Sequence, residues 1–223
     1  MTDRDMRNNV TNHRIEADRA TGAFYGAAVG DALGWPHEMR ASNTAKRSAL
    51  RQLQFEKWTK RSGGRFQPHE EVIEAGHYSD DTQLILASAR SLISEPASWW
   101  LLLATEELPL WTVYQRGGGG ATRRAASNWL AGHSPWAGKR DEVARYFEAG
   151  GNGVAMRILP HCVRHAGTAQ FSALAADIMT DGVLTHGHPR ALVGALAYGY
   201  GLWHALRQRG TLAYGELVDV VRE

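Results

Sequence analysis

Apolar residues along this chain recur mostly at spacings of three and four, the period of a helix packed on one face. From Arg14 to Leu33 the set Ile15, Ala20, Phe24, Ala27, Ala28 and Asp31 follows that spacing and predicts a first helix. Gly22, Ala23, Gly26, Ala27 and Gly30 crowd one side of it and permit close helix packing. Gly34 predicts its end, with Trp35-Pro36-His37-Glu38 leaving as a loop. Residues 39–77 lose the period. They are basic and polar, broken at Gly63-Gly64 and Pro68, and read as a loop-rich insertion with one short helix near Ser48 to Trp58. Helical patterns resume over about Asp80 to Ile93, then from Pro96, with Trp99, Trp100, Leu103, Leu108 and Trp111 as core. Further helices are expected over Thr122 to Ala131, Asp141 to Phe147, Val154 to His165, Gln170 to Asp181, Pro189 to Arg209 and Tyr214 to Arg222. Pro160 should kink or end the one that contains it. No alternating strand of convincing length and no internal repeat stands out. The expected fold class is all-α, one domain over residues 14–223 behind a flexible tail, 1–13.

Composition narrows the function classes. The chain has 223 residues, 43% hydrophobic and 22% charged, enough for one well-buried domain. A net charge of +2 makes no case for nucleic acid or an anionic membrane. Cys162 is the single cysteine, which excludes an internal disulfide and fits a reducing cytoplasm. Met1 to Arg14 lacks the apolar core of a signal peptide, and Ala191 to Leu206, the nearest approach to a spanning segment, is broken by glycines and His204.

The chemistry centres on Tyr78-Ser79-Asp80-Asp81-Thr82, directly before an apolar helical run. Two readings stand. Ser79 or Asp80 can simply cap the helix, where free N–H groups and the positive end of the dipole favour acids. Alternatively, three hard oxygens converge there, a donor type suited to Mg²⁺ or Mn²⁺. Asp31 falls at the C-terminal end of its helix, the wrong end on dipole grounds, and so needs a specific partner. Glu38 is either a solvated loop acid or an acid presented at a helix exit beside Asp31. Arg116 to Gly120 and Gly150-Gly151-Asn152-Gly153 are glycine turns that lead into helices. Each is either a linker or a place of close backbone approach to a phosphate. No Gly-Lys-Ser/Thr follows the first, so it is not a nucleotide P-loop. His161, Cys162, His165, His186 and His188 lack a paired-cysteine spacing for zinc, and no nucleophile elbow is present.

Five elements occur in a fixed order. Gly26-Ala27-Ala28-Val29-Gly30-Asp31-Ala32-Leu33-Gly34 with Glu38 comes first, then Tyr78 to Thr82, then the Arg116 to Gly120 loop. Gly151-Asn152-Gly153-Val154-Ala155-Met156-Arg157 and Thr185-His186 follow. Together they resemble the ADP-ribosylglycohydrolase family, the group that includes dinitrogenase reductase-activating glycohydrolase. The resemblance implies a compact, orthogonal multi-helix fold with a binuclear Mg²⁺ or Mn²⁺ centre at the base of a cleft. It also implies hydrolysis of the bond between C1 of ADP-ribose and an acceptor, which is an ADP-ribosylated protein or a small-molecule ADP-ribose conjugate. By position Ser79, Asp80 and Asp81 would be metal ligands, the family more often having Thr at the first. Glu38 would lie on the metal and substrate side as a catalytic acid, with Asp31 supporting it. Gly150, Gly151, Asn152 and Gly153 would hold the diphosphate, His186 would contact the distal ribose, and Gly117 and Gly119 would line the cleft. Arg157 is expected in a structural ion pair.

One departure matters. The family's further Asp-x-Asp-Thr motif has no counterpart after His186. The resemblance therefore implies a C-terminally truncated domain whose second metal site is incomplete, with a partner chain or a longer gene product supplying the rest. A non-catalytic ADP-ribose-binding module is the competing reading. Loss of the final helices should expose Leu192, Leu196, Tyr198 and Leu202 on the Pro189 helix.

Overall fold

The computed structural model describes residues 17–38, 54–64 and 66–222. The helices are α1 (Ala17–Glu38), α2 (Asp80–Ser94), α3 (Trp99–Leu102), α4 (Leu108–Tyr114), α5 (Gly120–Leu130), α6 (Arg140–Phe147), α7 (Leu159–His165), α8 (Ser172–Val183), α9 (Pro189–Arg207) and α10 (Glu216–Arg222). The fold is all-α in class, with one small hairpin, β1 (Trp58–Gly64) and β2 (Gln67–Ile73), between α1 and α2. Tail residues 1–13 and most of the expected helix from Ser48 lie outside the described residues. Within that expected helix, residues 54–57 are irregular and Trp58 opens a strand.

α1 does not stop at Gly34. It continues through Pro36 to Glu38, with Trp35 and Pro36 buried. Proline this close to a helix end sacrifices one backbone hydrogen bond, and burying the Trp35 indole offsets that loss. The continuation has a consequence for the site. Asp31 and Glu38 are seven residues apart on one helix, so they share a face, with Trp35 between them.

The hairpin was not visible as alternation because neither of its faces is buried. Only Ile73 at its base is fully covered. Its strands run antiparallel, pairing Trp58 with Ile73 and Lys60 with Glu71. Cross-strand charge pairs replace an apolar face: Arg61 to Glu70 at 2.8 Å and Lys60 to Glu71 at 3.6 Å, with Lys57 to Glu74 at 2.6 Å just outside the strands. The basic residues Lys57, Lys60 and Arg61 of this stretch therefore carry their own counter-charges. Arg65 lies outside the described residues. Gly63 has φ of 85°, and a Cβ there would sit 2.1 Å from the Gln67 carbonyl oxygen, so the tight turn requires glycine.

Two apolar clusters hold the helices. One gathers Leu84, Leu103, Leu108 and Trp111 around α2, α4 and α5; the other gathers Val154, Ile158, Leu174, Ile178 and Trp203 around α7, α8 and α9. Trp99, Leu103, Leu108 and Trp111 are buried as the pattern requires, but Trp100 is 43% exposed. The helix expected from Pro96 starts at Trp99 and widens into a π-turn at Leu103–Glu107 before α4. The Val154 to His165 helix is divided by Pro160, which sits in the first turn of α7, where its missing N–H costs nothing.

Leu196 and Leu202 of α9 pack against the second cluster, and Leu192 lies against Gly182 of α8. Tyr198 alone of the four expected residues is strongly exposed, at 53%. α9 also exposes Val193, and α1 has an open stretch of its own. Tyr25 is 69% exposed, and Cβ atoms at Gly22, Gly26 and Gly30 would meet nothing.

Candidate functional site

The N-terminus of α2 is capped twice. Ser79 Oγ accepts from the Asp81 N–H at 3.2 Å, so Ser79 is an ordinary N-cap. Asp31 reaches across from α1. Its Oδ2 accepts from the N–H groups of Ser79 and Thr82, each at 3.0 Å, and from Thr82 Oγ1 at 2.6 Å. That is the partner Asp31 required. Because α1 continues to Glu38, Asp31 lies inside that helix and not at its negative end, and what favours its charge is the positive end of the α2 dipole. Replacing Asp31 by alanine leaves these donors unpaired and is expected to destabilise the fold by about 1–3 kcal/mol. A urea titration checks this; unchanged stability would show that solvent satisfies them equally well.

With Asp31 and Ser79 doing the capping, Asp80 and Asp81 are not needed for it. Neither has a cationic partner among the described residues. Burial pushes the Asp80 carboxyl up to about 6; a hydrogen bond from its own backbone opposes this, the charges of Glu38 and Asp31 add to it, and Lys60 tempers it. Burial likewise pushes Asp81 up to about 7, with Asp80, Asp31 and Glu38 adding their repulsion. Glu38 is raised by burial and then by Asp31. Four carboxylates thus feel one another, with Lys60 acting against the repulsion at Asp80 but forming no ion pair with it, the electrostatic setting of a hard cation's oxygen donors. The donor type and charge fit Mg²⁺ or Mn²⁺. The number of converged ligands falls short, because among the described residues no three His, Cys, Asp or Glu side chains come together closely enough to hold a metal ion by themselves.

These shifts have a testable sign. Between pH about 4 and 7 the folded chain retains protons on Asp80 and Asp81 that the unfolded chain has released, so their contribution to stability falls as pH rises through that window. His186 runs the other way. Burial first, and then Arg157 and Arg124, lower it to about 3, so stability tied to it is lost as pH drops below about 6.5. The carboxylate part is therefore read by difference. Wild type minus the Asp80→Asn, Asp81→Asn double variant should lose stability from pH 4 to 7, and a flat difference curve would exclude the repulsion.

Glu38 is the member of this group that lines a cleft of about 700 Å³, together with Trp35 of α1, Trp58, Lys60 and Arg61 of β1, and Gly117, Gly118 and Arg123. The glycine loop is held from below by Gln83. Its Oε1 accepts from the Arg116 N–H at 3.0 Å and Trp111 Nε1 at 3.2 Å, and its Nε2 donates to the Tyr114 carbonyl at 3.0 Å. The Asp80 N–H donates to the Arg116 carbonyl at 2.8 Å. Gly117 has φ of 88°, and a Cβ there would press within 3.2 Å of Trp35 Nε1 and 3.4 Å of Asp80 Oδ1. Its glycine lets the loop lie flush against the acids. Gly118 is closed in by the Trp111 ring, while Gly119 caps α5 and faces open space.

The other expected elements form a second group. A Cβ on Gly153 would lie 2.7 Å from His186 Cε1 and 2.9 Å from Thr122 Oγ1, and one on Gly150 would lie 3.2 Å from His188 Nδ1. The turn is therefore seated against His186, with Gly151 and Asn152 exposed at its tip. His186 is 2% exposed, and its Nδ1 faces Thr185 Oγ1 at 2.7 Å. Beneath both lies Arg157, fully buried. Its Nε donates to Asp181 Oδ1 at 2.7 Å, and its Nη2 donates to the Asp181 carbonyl and Thr185 Oγ1, both at 2.9 Å. Its Nη1 donates to the Gly153 carbonyl. His161 Nε2 faces Asp181 Oδ2 at 3.0 Å. The expected structural ion pair is present, and its partner is Asp181. Thr122 and Arg123 of α5 join the two groups, the first touching Gly153 and the second lining the carboxylate cleft. Sequence reading missed Gln83, Asp181 and Lys60, none of which stands inside a recognisable motif.

The sequence profile of ADP-ribosylglycohydrolases matches residues 11–223. The chain belongs to the ADP-ribosylglycohydrolase family. Among relatives, it is 30% identical over 202 residues to the ADP-ribosyl-[dinitrogen reductase] glycohydrolase of Rhodospirillum rubrum, covering 89% of this chain and 62% of that protein. A solved structure described as an ADP-ribosylglycohydrolase-related protein complex superposes with a TM-score of 0.54 at 26% identity, over 86% of this chain and 58% of that one. The chain therefore spans about three fifths of the length of the relatives it matches. Among its described residues no helix is long and apolar enough to cross a membrane.

Proposed function

We propose that this chain forms the cleft of a hydrolase that removes ADP-ribose from an acceptor by metal-assisted cleavage at the ribose C1 bond. The observation that carries the reading is the mutually repelling group of Asp80, Asp81 and Glu38 beside a helix N-terminus already capped by Ser79 and Asp31. Ser79, Asp80 and Asp81 would hold a divalent cation, which when bound supplies electrophilic polarisation of a ribose hydroxyl or a water. Further oxygen ligands would come from water or from substrate.

Glu38, at the end of α1 and facing the cleft, takes a proton from the attacking water as its oxygen bonds to C1. The C1–acceptor bond breaks, its electron pair leaves with the acceptor, and the same carboxyl returns the proton there. The positive charge that develops at C1 is offset by the neighbouring carboxylates. The turn of Gly150 to Gly153 offers backbone N–H groups to the diphosphate, and neutral His186 meets the distal ribose.

A non-catalytic ADP-ribose-binding module is the second reading. It is favoured by the absence, among the described residues, of three His, Cys, Asp or Glu side chains close enough together to hold a metal ion by themselves. Incubation with Mg²⁺ or Mn²⁺ and an ADP-ribosylated arginine or serine substrate separates the two. Release of ADP-ribose supports the hydrolase. Retained ADP-ribose binding with no release, beside an active longer relative, supports the module.

A further inference from the structure

A second cavity, about 490 Å³, lies between α5 and α6. Its wall carries three guanidinium groups: Arg123 and Arg124 of α5 and Arg145 of α6. Among the described residues none of the three has a carboxylate or carbonyl partner. Arg61, Arg90 and Arg157 contrast with them, since each is paired with an acid. The cavity's own acid, Glu142, is turned aside, its Oε2 accepting from the Lys139 N–H at 3.3 Å. Three like charges facing one space repel each other, and among the described residues Glu142 is the one acid on that wall and pairs with none of them.

The position of the cavity says what kind of anion suits it. It reaches Ala149 and Thr185, the residues directly before the Gly150 turn and His186. Arg124 leans over the start of α5, its Nη1 3.0 Å from where a Gly120 Cβ would be, and its charge is felt at His186. Arg123 lines this cavity and the carboxylate cleft alike, so it stands between them. Ser127 and Asn128 add neutral donors on the same wall. The volume suits part of a nucleotide-sized ligand.

We propose that this cavity receives the phosphate groups of a nucleoside diphosphate, with Arg124 and Arg145 as its charged contacts and Arg123 bridging toward the reacting end. The proposal rests on the ADP-ribose reading and adds to it. The glycine turn supplies backbone N–H groups only, whereas guanidinium forks match phosphate oxygens two at a time and supply full charge.

Isothermal titration of the whole chain with ADP-ribose, ADP and inorganic pyrophosphate tests it, with Mn²⁺ binding as a readout of the carboxylate centre. The Arg124→Ala, Arg145→Ala double variant should bind ADP-ribose and ADP about ten- to a hundredfold more weakly and Mn²⁺ unchanged. The corresponding double lysine variant should recover part of the loss. Wild-type affinity should fall as KCl is raised, and that fall should be blunted in the alanine variant. Equal ADP-ribose affinity in wild type and the alanine variant overturns the cavity assignment and leaves the ADP-ribose reading intact. Binding of pyrophosphate without ADP overturns it too, as a generic anion site. A wild-type chain that binds Mn²⁺ but no ADP-ribose sinks the ADP-ribose reading itself.

Discussion

Asp80→Ala is expected to lower Mn²⁺ affinity by about a hundredfold or more while α2 remains formed. The helix survives because its N-terminal donors belong to Ser79 and Asp31, and Asp80 caps neither of them. The two effects should also have opposite signs. Asp80 is 7% exposed, and its carboxyl stands at about 6 rather than 3.8, so the metal-free fold bears an electrostatic cost there at neutral pH. Removing the carboxyl should raise metal-free stability by about 1–3 kcal/mol. A variant that is more stable yet blind to Mn²⁺ cannot be explained by misfolding. Calorimetric melting with and without Mn²⁺ reads both quantities in one experiment. If affinity is unchanged, Asp80 is an ordinary acid in a helix's first turn.

The second large effect lies in the interior. Asp181→Ala should destabilise the protein by about 3–5 kcal/mol, a fall in Tm of roughly 10 °C or more for a chain of this size. Arg157 and Asp181 are both 0% exposed, so removal of the acid strands a buried guanidinium beside His161. Removal of both charges with apolar replacements should cost much less than the single change, because no unpaired charge then remains. A double-mutant cycle on Arg157 and Asp181 measures the coupling. A single-variant loss below about 1 kcal/mol would show that water reaches the guanidinium. The same pair fixes the carbonyl of Gly153 and the hydroxyl of Thr185, so milder changes here should disturb ligand binding before they unfold the chain.

Much of the helical content was legible because apolar spacing is a local property. α2, α5, α6, α8 and α9 fall close to where the pattern puts them. Local rules failed at Gly34 and Pro36, where burial of Trp35 against the hairpin and loop outweighs two unfavourable residues. They failed again at β1 and β2, whose pairing rests on charges from two strands and leaves no alternating signature in either. In the candidate site, the acidic pair at 80–81 and the glycine turns are conspicuous by composition. Gln83 is not, since a glutamine one turn into a helix looks like surface until Trp111 and Arg116 are seen to meet it.

By itself the sequence determined the all-α class, the order of the motifs, and the presence of two adjacent carboxylates at a helix start. These depend on residue type and spacing along one segment. Only the tertiary structure decided whether those carboxylates are caps. That depends on Asp31, 48 residues before Ser79, arriving from another helix to take the free N–H groups. It also decided that Glu38 shares a face with Asp31, because α1 runs two turns between them instead of breaking at Gly34. Capping needs only one set of acceptors for each helix end. Once Asp31 and Ser79 fill that role, the charges of Asp80 and Asp81 are not used in capping.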